Sequence, residues 1–135
     1  MTPEQLARLI EESAKTEAKI LSRIYGYDTS NGKIRIIEKE AAVIRRVHIF
    51  LADLVYQNAA LTLKQLVEEF REEKIRTRSN RAFDAKLLMG LIRPIYAGLL
   101  PSSLGFYSTV TTYPTITTPD YFRRAHSALK RAKLL

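Results

Sequence analysis

The chain contains no cysteine and no tryptophan, and only two histidines, five glycines and five prolines among its 135 residues. Without cysteine there can be no disulfide and no thiolate zinc site, and His48 and His126 are too few for most imidazole metal sites. No run approaches the ~20 consecutive apolar residues of a membrane-spanning helix, and the N-terminus lacks the basic-then-apolar pattern of a signal peptide. Catalytic signatures are missing too: there is no Ser/His/Asp order, no paired-carboxylate context and no phosphate-cradling glycine loop. These absences point to a soluble, cytoplasmic chain with no cofactor, no metal and no membrane partner.

What the chain does have is a core and an excess of positive charge. A hydrophobic content of 46% over 135 residues supports a single domain with a real interior. The net charge of +8 is uneven: residues 1–30 carry four bases and five acids, a net of −1, whereas residues 81–135 carry eight bases and two acids, a net of +6. A basic second half suits a polyanionic partner.

The densest local signal lies in residues 61–98. Thr62 followed by Gln65 fits a capping box, and Leu63, Leu66, Val67 and Phe70 recur at helical spacing. An Arg-rich turn follows, with Arg76, Arg78 and Arg81 set among Thr, Ser and Asn. Asp84 is positioned to cap a second helix ending near Arg93, because Pro94 disfavours helical backbone in the residue before it. In that helix Leu87, Leu88, Leu91 and Ile92 form an inward stripe, leaving Lys86, Met89, Gly90 and Arg93 on the far face. Gly90 costs a helix roughly 1 kcal/mol relative to Ala, which suggests close approach to its backbone. A capped helix, a basic turn and a second helix is the plan of a helix-turn-helix reader of DNA. The periodicity alone fits an ordinary helical hairpin equally well.

Flanking segments have signals of their own. Thr2 to Gln5 fits a capping box with Pro3 at the first helical position, opening a helix predicted to run to about Arg23 on Leu6, Leu9, Ile10, Ile20, Leu21 and Ile24. Asn31-Gly32 between Tyr27 and Ile34–Ile36 marks a hairpin. A helix is predicted from Glu38 to about Gln57, with Ile37, Ala41, Ile44, Val47, Leu51, Leu54 and Val55 on one face and His48 as a packing residue beside it. Residues 96–100 and 106–111 read as a second hairpin, and Thr118-Pro119-Asp120 starts a last helix with Phe122, Ala125 and Leu129 inward. Its outer side carries Arg123, Arg124, Lys130 and Arg131, which could track phosphates.

Six stretches in order, Tyr25-Gly-Tyr27, Gly32-Lys-Ile34, Glu40-Ala-Ala-Val-Ile-Arg-Arg-Val47, Leu63–Leu66 through Ile75-Arg-Thr77, Pro94-Ile-Tyr-Ala-Gly98 and Thr115–Phe122, resemble the recombinase domain of large serine recombinases. These comprise phage-type integrases, transposon resolvases and sporulation recombinases, and the resemblance covers roughly residues 24–133. It implies a double-stranded-DNA-binding module that follows a serine-nucleophile domain and a long connecting helix, and that holds half of an attachment site. Residues 1–23 would be the end of that connecting helix, and residues 24–135 the DNA-binding domain. The catalytic domain would lie outside this chain, which alone should neither cut nor join DNA. The fragment would be a monomer, and its parent a bacterial or phage recombinase near the nucleoid, dimeric on DNA and tetrameric in synapsis. The chain departs from the family pattern where Lys74 and Arg76 stand in place of a Gly and a Pro, and where Arg93 replaces an Asn.

The expectation is thus an α+β, mainly helical domain with a helix-turn-helix-like element and a small β-hairpin or three-stranded sheet. Arg76, Arg78 and Arg81 would meet phosphates or the minor groove, while Lys86, Met89, Gly90 and Arg93 would face the major groove. Arg45 and Arg46 match the family's paired bases, and a surface pair closing salt bridges to Glu38 or Glu40 is the reading favoured for them. The competing reading is a non-catalytic protein-interaction or regulatory module.

Overall fold

A computed structural model describes residues 2–5, 24–30, 33–101, 107–109 and 113–135, with backbone only at 100, 101 and 107–109. The architecture is α+β and mainly helical. Its described elements run β1 (Tyr27–Asp28), β2 (Arg35–Ile36), α1 (Glu38–Ala52), α2 (Ala59–Glu72), α3 (Ala85–Met89), a 3-10 turn (Pro94–Ala97), β3 (Leu99–Pro101), β4 (Tyr107–Thr109) and α4 (Pro119–Arg131). The strands form two separate antiparallel hairpins, pairing Tyr27 with Ile36 and Leu99 with Thr109.

At the N-terminus the capping box is formed: the Gln5 side chain accepts from Thr2 N–H at 3.0 Å and the Thr2 hydroxyl accepts from Gln5 N–H at 3.2 Å. Residues 6–23, the remainder of the expected leading helix, lie outside the described residues, as do Asn31-Gly32 at the first hairpin's tip and residues 102–106 at the second's.

Helix α1 buries Ala41, Val43, Ile44, Val47, His48 and Leu51, and packs most extensively on α4 through Phe122, Ala125, Ala128 and Leu129. Full burial of each large apolar side chain contributes roughly 1.5–3 kcal/mol, so this pair forms the centre of the core. Thr118 caps α4, its hydroxyl accepting from Tyr121 N–H at 3.2 Å, and Pro119 occupies the first turn. A tyrosine cluster closes the core beside the 3-10 turn. Tyr27 and Tyr96 stack with ring centroids 6.2 Å apart, and Tyr113 meets Tyr27 edge-on at 5.8 Å. Their hydroxyls donate to the carbonyls of Pro114, Tyr25 and Ile95, so each buried phenol has its polar end satisfied.

Three helices end the same way without glycine. Leu54, Lys74 and Lys133 each take a left-handed conformation (φ 46, 58 and 57) just beyond α1, α2 and α4. After α2 the amide of Lys74 bonds the Arg71 carbonyl and that of Ile75 bonds Phe70; after α4 the amides of Lys133 and Leu134 bond Lys130 and Leu129. These are Schellman closures. Glycine would take the conformation without strain, whereas an L side chain costs roughly 1–2 kcal/mol there.

Several sequence expectations are corrected. Helix α1 stops at Ala52, not near Gln57, so Leu54 and Val55 fall outside it, and Val55 is 49% exposed. Helix α2 begins a turn earlier than Thr62 implied. Asn58 is its cap, accepting from Leu61 N–H at 2.8 Å, while buried Thr62 bonds back to the Asn58 carbonyl at 2.8 Å. Asp84 does cap the second helix of the pair, accepting from Leu87 N–H at 2.7 Å, yet α3 ends at Met89 rather than near Arg93. Tyr96 belongs to the 3-10 turn, not to the strand after it.

Candidate nucleic-acid interface

Between α2 and α3 lie twelve residues, Glu73 to Asp84, instead of the three or four of a tight helix-turn-helix. Ile75 returns the chain to the core, and Arg76 pairs with Ala82 in an isolated antiparallel bridge. Within it Thr77 N–H bonds the Arg81 carbonyl at 2.9 Å, the Thr77 hydroxyl accepts from Arg81 N–H at 3.1 Å, and Asn80 turns the corner at φ 61. Asn tolerates this backbone better than most residues. The basic turn is therefore an ordered loop.

Arg78 fixes that loop to the rest of the fold. Its Nε donates to both Glu40 carboxylate oxygens at 3.1 and 3.0 Å, and its Nη2 donates to Glu40 Oε1 at 2.6 Å and the Tyr27 carbonyl at 2.7 Å. The same Glu40 oxygen accepts from Gly26 N–H at 2.6 Å, so one carboxylate joins α1, the first hairpin and the loop. The hydrogen bonds that Arg78 donates to Glu40 raise the guanidinium's affinity for its proton. Gly26 is required here: at φ +104 an added Cβ would lie 2.7 Å from Cδ1 of both Ile44 and Ile116.

The described arginines and lysines around the loop differ in whether an acid is paired with them. Arg45 is paired with Glu38 at 3.1 Å and donates to the Ile116 carbonyl, and Arg46 bridges Glu73 at 2.7 Å and Glu69 at 3.6 Å over the faces of Phe70 and Phe50. Arg124 joins Asp53 and Asp120. Arg81, Lys86 and Arg93 are exposed and have no ion pair among the described residues; Arg76 is exposed with one long contact, 3.5 Å to the Asn80 carbonyl. Residues 74–93 hold six bases against the single acid Asp84, a net of +5, and the Asp84 carboxylate is engaged as a helix cap.

Two clefts flank the loop. One, of about 390 Å³, is bordered by Tyr25, Arg78, Phe83, Gly90 and Arg93; the other, of about 640 Å³, by Tyr25, Lys39, Lys74, Arg76 and Arg78. Tyr25 and Arg78 belong to both. Burial, with Glu40 nearby, pushes the Tyr25 hydroxyl up to about 12, so it is a protonated donor at neutral pH.

The remaining sequence-predicted residues are dispersed. Met89 is half-buried and packs on the core, which corrects its expected outward position. Gly90 is exposed in ordinary right-handed backbone, and the nearest atom to an added Cβ is its own helix's Leu87 carbonyl at 3.3 Å, so nothing in the fold requires glycine there. Arg123, Lys130 and Arg131 are exposed on α4, and no α4 residue lines either cleft. Basic residues in a last helical turn also complement the helix dipole. Sequence reasoning did not connect Glu40 with Arg78, 38 residues away, and gave no site role to Lys39 or Lys74.

No protein-family model matches the chain, and no curated protein matches it. Among solved structures it is similar to a crystal structure of a large serine recombinase–DNA complex, with a TM-score of 0.59, 16% identity, and coverage of 82% of this chain and 32% of the other. It is also similar to a structure concerned with the sequence requirements of the Listeria innocua prophage attP site, with a TM-score of 0.59, 15% identity, and coverage of 81% of this chain and 42% of the other. The chain thus spans about a third and two fifths of the lengths of those two proteins, and it shares the fold of those parts.

Proposed function

We propose that this domain binds double-stranded DNA and recognises one half of an attachment site for a site-specific serine recombinase, whose catalytic domain is not part of this chain. The observation that carries this reading is the sorting of the cations. Arg45, Arg46, Arg78 and Arg124 are matched to acids, while the loop, α3 and the segment after it present Arg76, Arg81, Lys86 and Arg93 without an ion pair among the described residues, within a stretch of net charge +5. Unpaired bases on a braced loop and a short helix suit a phosphate-lined groove.

At 1.5 Å per residue α3 is only about 7.5 Å long, comparable to two base-pair steps. Lys86 on α3 and Arg93, four residues past its end, are the candidates for base edges, with Gly90 between them allowing close approach. Arg76 and Arg81 meet phosphates. Arg78 has a bracing role, since its Nε and Nη2 are taken by Glu40 and Tyr27. The likeness to recombinase–DNA complexes supports the same reading.

Selection of duplexes from a randomised pool by the purified chain is the test of recognition. One enriched half-site, whose preference weakens in Lys86→Ala and Arg93→Ala, supports the assignment. Retention of all sequences alike would leave only non-specific binding. Capture of protein partners with no duplex binding would favour the interaction-module alternative.

A further inference from the structure

The larger cleft contains two lysines, Lys39 and Lys74, that the interface above does not use, and it shares Arg76 with that interface. It is bordered by five bases, Lys39, Arg46, Lys74, Arg76 and Arg78, and two acids, Glu40 and Glu73. The acids are taken by Arg78 and Arg46 respectively, at 2.6 and 2.7 Å. Lys39, Lys74 and Arg76 therefore face the cleft as a net of three uncompensated positive charges. Lys74 holds its place at a backbone cost, because its φ of 58 is one that glycine would adopt freely. The neutral Tyr25 hydroxyl on the same wall adds a donor without a negative charge.

We infer that this cleft, on the side of the loop away from Gly90 and Arg93, is a second DNA contact in which Lys39, Lys74 and Arg76 hold successive backbone phosphates of the duplex. The inference rests on the DNA-binding reading and deepens it. The 77–81 loop, braced by Arg78, becomes a ridge with a contact on each flank. The phosphate contacts carry no base information; they fix the orientation in which α3 is presented.

Lys74 and Lys133 provide a matched pair, since both are lysines in left-handed backbone just past a helix and only Lys74 lines the cleft. In the full chain, Lys74→Gly and Lys133→Gly should both raise the melting temperature through relief of strain. Only Lys74→Gly should weaken binding to a random-sequence duplex, by about tenfold at low salt, and flatten the slope of log affinity against log salt by about 0.9, the loss of one phosphate contact. Lys39→Ala should flatten it similarly. The duplex should also shield the Lys39 and Lys74 amines from acetylation, whereas inorganic phosphate at equal ionic strength should not. Wild-type affinity and slope in both Lys74→Gly and Lys39→Ala would overturn the second contact and leave the α3 interface standing. An equal loss in Lys133→Gly would overturn it as a mere net-charge effect, and equal shielding by inorganic phosphate would make it a free-anion site. A wild-type chain that binds no duplex would instead remove the reading beneath it.

Discussion

Glu40→Ala should loosen the basic loop from the fold, with a cost that can be worked from the structure. The carboxylate is 15% exposed and accepts from Gly26 N–H and from Arg78 Nε and Nη2, all within 3.1 Å. Hydrogen bonds to charged groups contribute about 1.5–3 kcal/mol each when poorly solvated, but they are not additive. The Arg78 side chain is 38% exposed, so water screens much of the ion-pair part and can solvate the guanidinium after the change. A net loss of about 2–3 kcal/mol follows, equivalent to roughly 10 °C in melting temperature for a chain of this size. The assay is thermal and guanidinium denaturation of the wild type, Glu40→Ala, Arg78→Ala and the double variant. A coupling of about 1–2 kcal/mol is expected in this cycle. If the single losses add within about 0.3 kcal/mol, the two residues act independently and the bracing argument fails.

Gly26→Ala should destabilise by about 2–4 kcal/mol in denaturant titration, from left-handed strain together with overpacking against Ile44 and Ile116; a loss under 0.5 kcal/mol would show that the turn relaxes freely. Asn58→Ala should cost about 1 kcal/mol as the true cap of α2, and an unchanged stability would return the cap to Thr62. His48 is fully buried, its Nδ1 is 2.8 Å from the Ile44 carbonyl and its Nε2 has no partner, so desolvation holds its pKa below the usual value of about 6.5. The unfolded imidazole then takes up a proton below about pH 6.5 while the folded one resists it. Stability should therefore fall with decreasing pH below that point by up to about 1.4 kcal/mol per unit. Chemical denaturation from pH 7.5 to 5 checks this, and an identical pH dependence in His48→Leu would remove His48 as the cause.

Features written in short-range chemistry were legible in the sequence. Asp84 and Thr118-Pro119 stand where they cap, the Leu63, Leu66 and Phe70 stripe is buried, Arg45 finds Glu38, and His48 is a packing residue. The helix ends were less legible because the left-handed positions are filled by Leu54, Lys74 and Lys133, so the glycine that usually marks a helix stop is missing. Two possible caps within one turn, Asn58 and Thr62, hid the start of α2. The role of Arg78 could not be read locally either. Its partner is 38 residues away, and the brace exists only once α1 and the first hairpin are in place. A run of arginines looks the same in sequence whether each is free or held. Only the folded distribution of Glu38, Glu40, Glu69, Glu73 and Asp53 separates the structural bases from the presenting ones.

The most direct test of the central claim, that the unpaired bases of the loop, the larger cleft and α3 form a DNA-binding face, is the salt dependence of duplex binding by the wild-type chain. With about five phosphates neutralised, log affinity should fall against log salt with a slope near −4 to −5. Neutralising Lys74, Arg76 and Arg81 together should reduce that slope by about 2 to 3, while Arg123→Ala and Lys130→Ala on α4 leave it unchanged. A wild-type slope near zero, or a triple variant with the wild-type slope, would contradict the account.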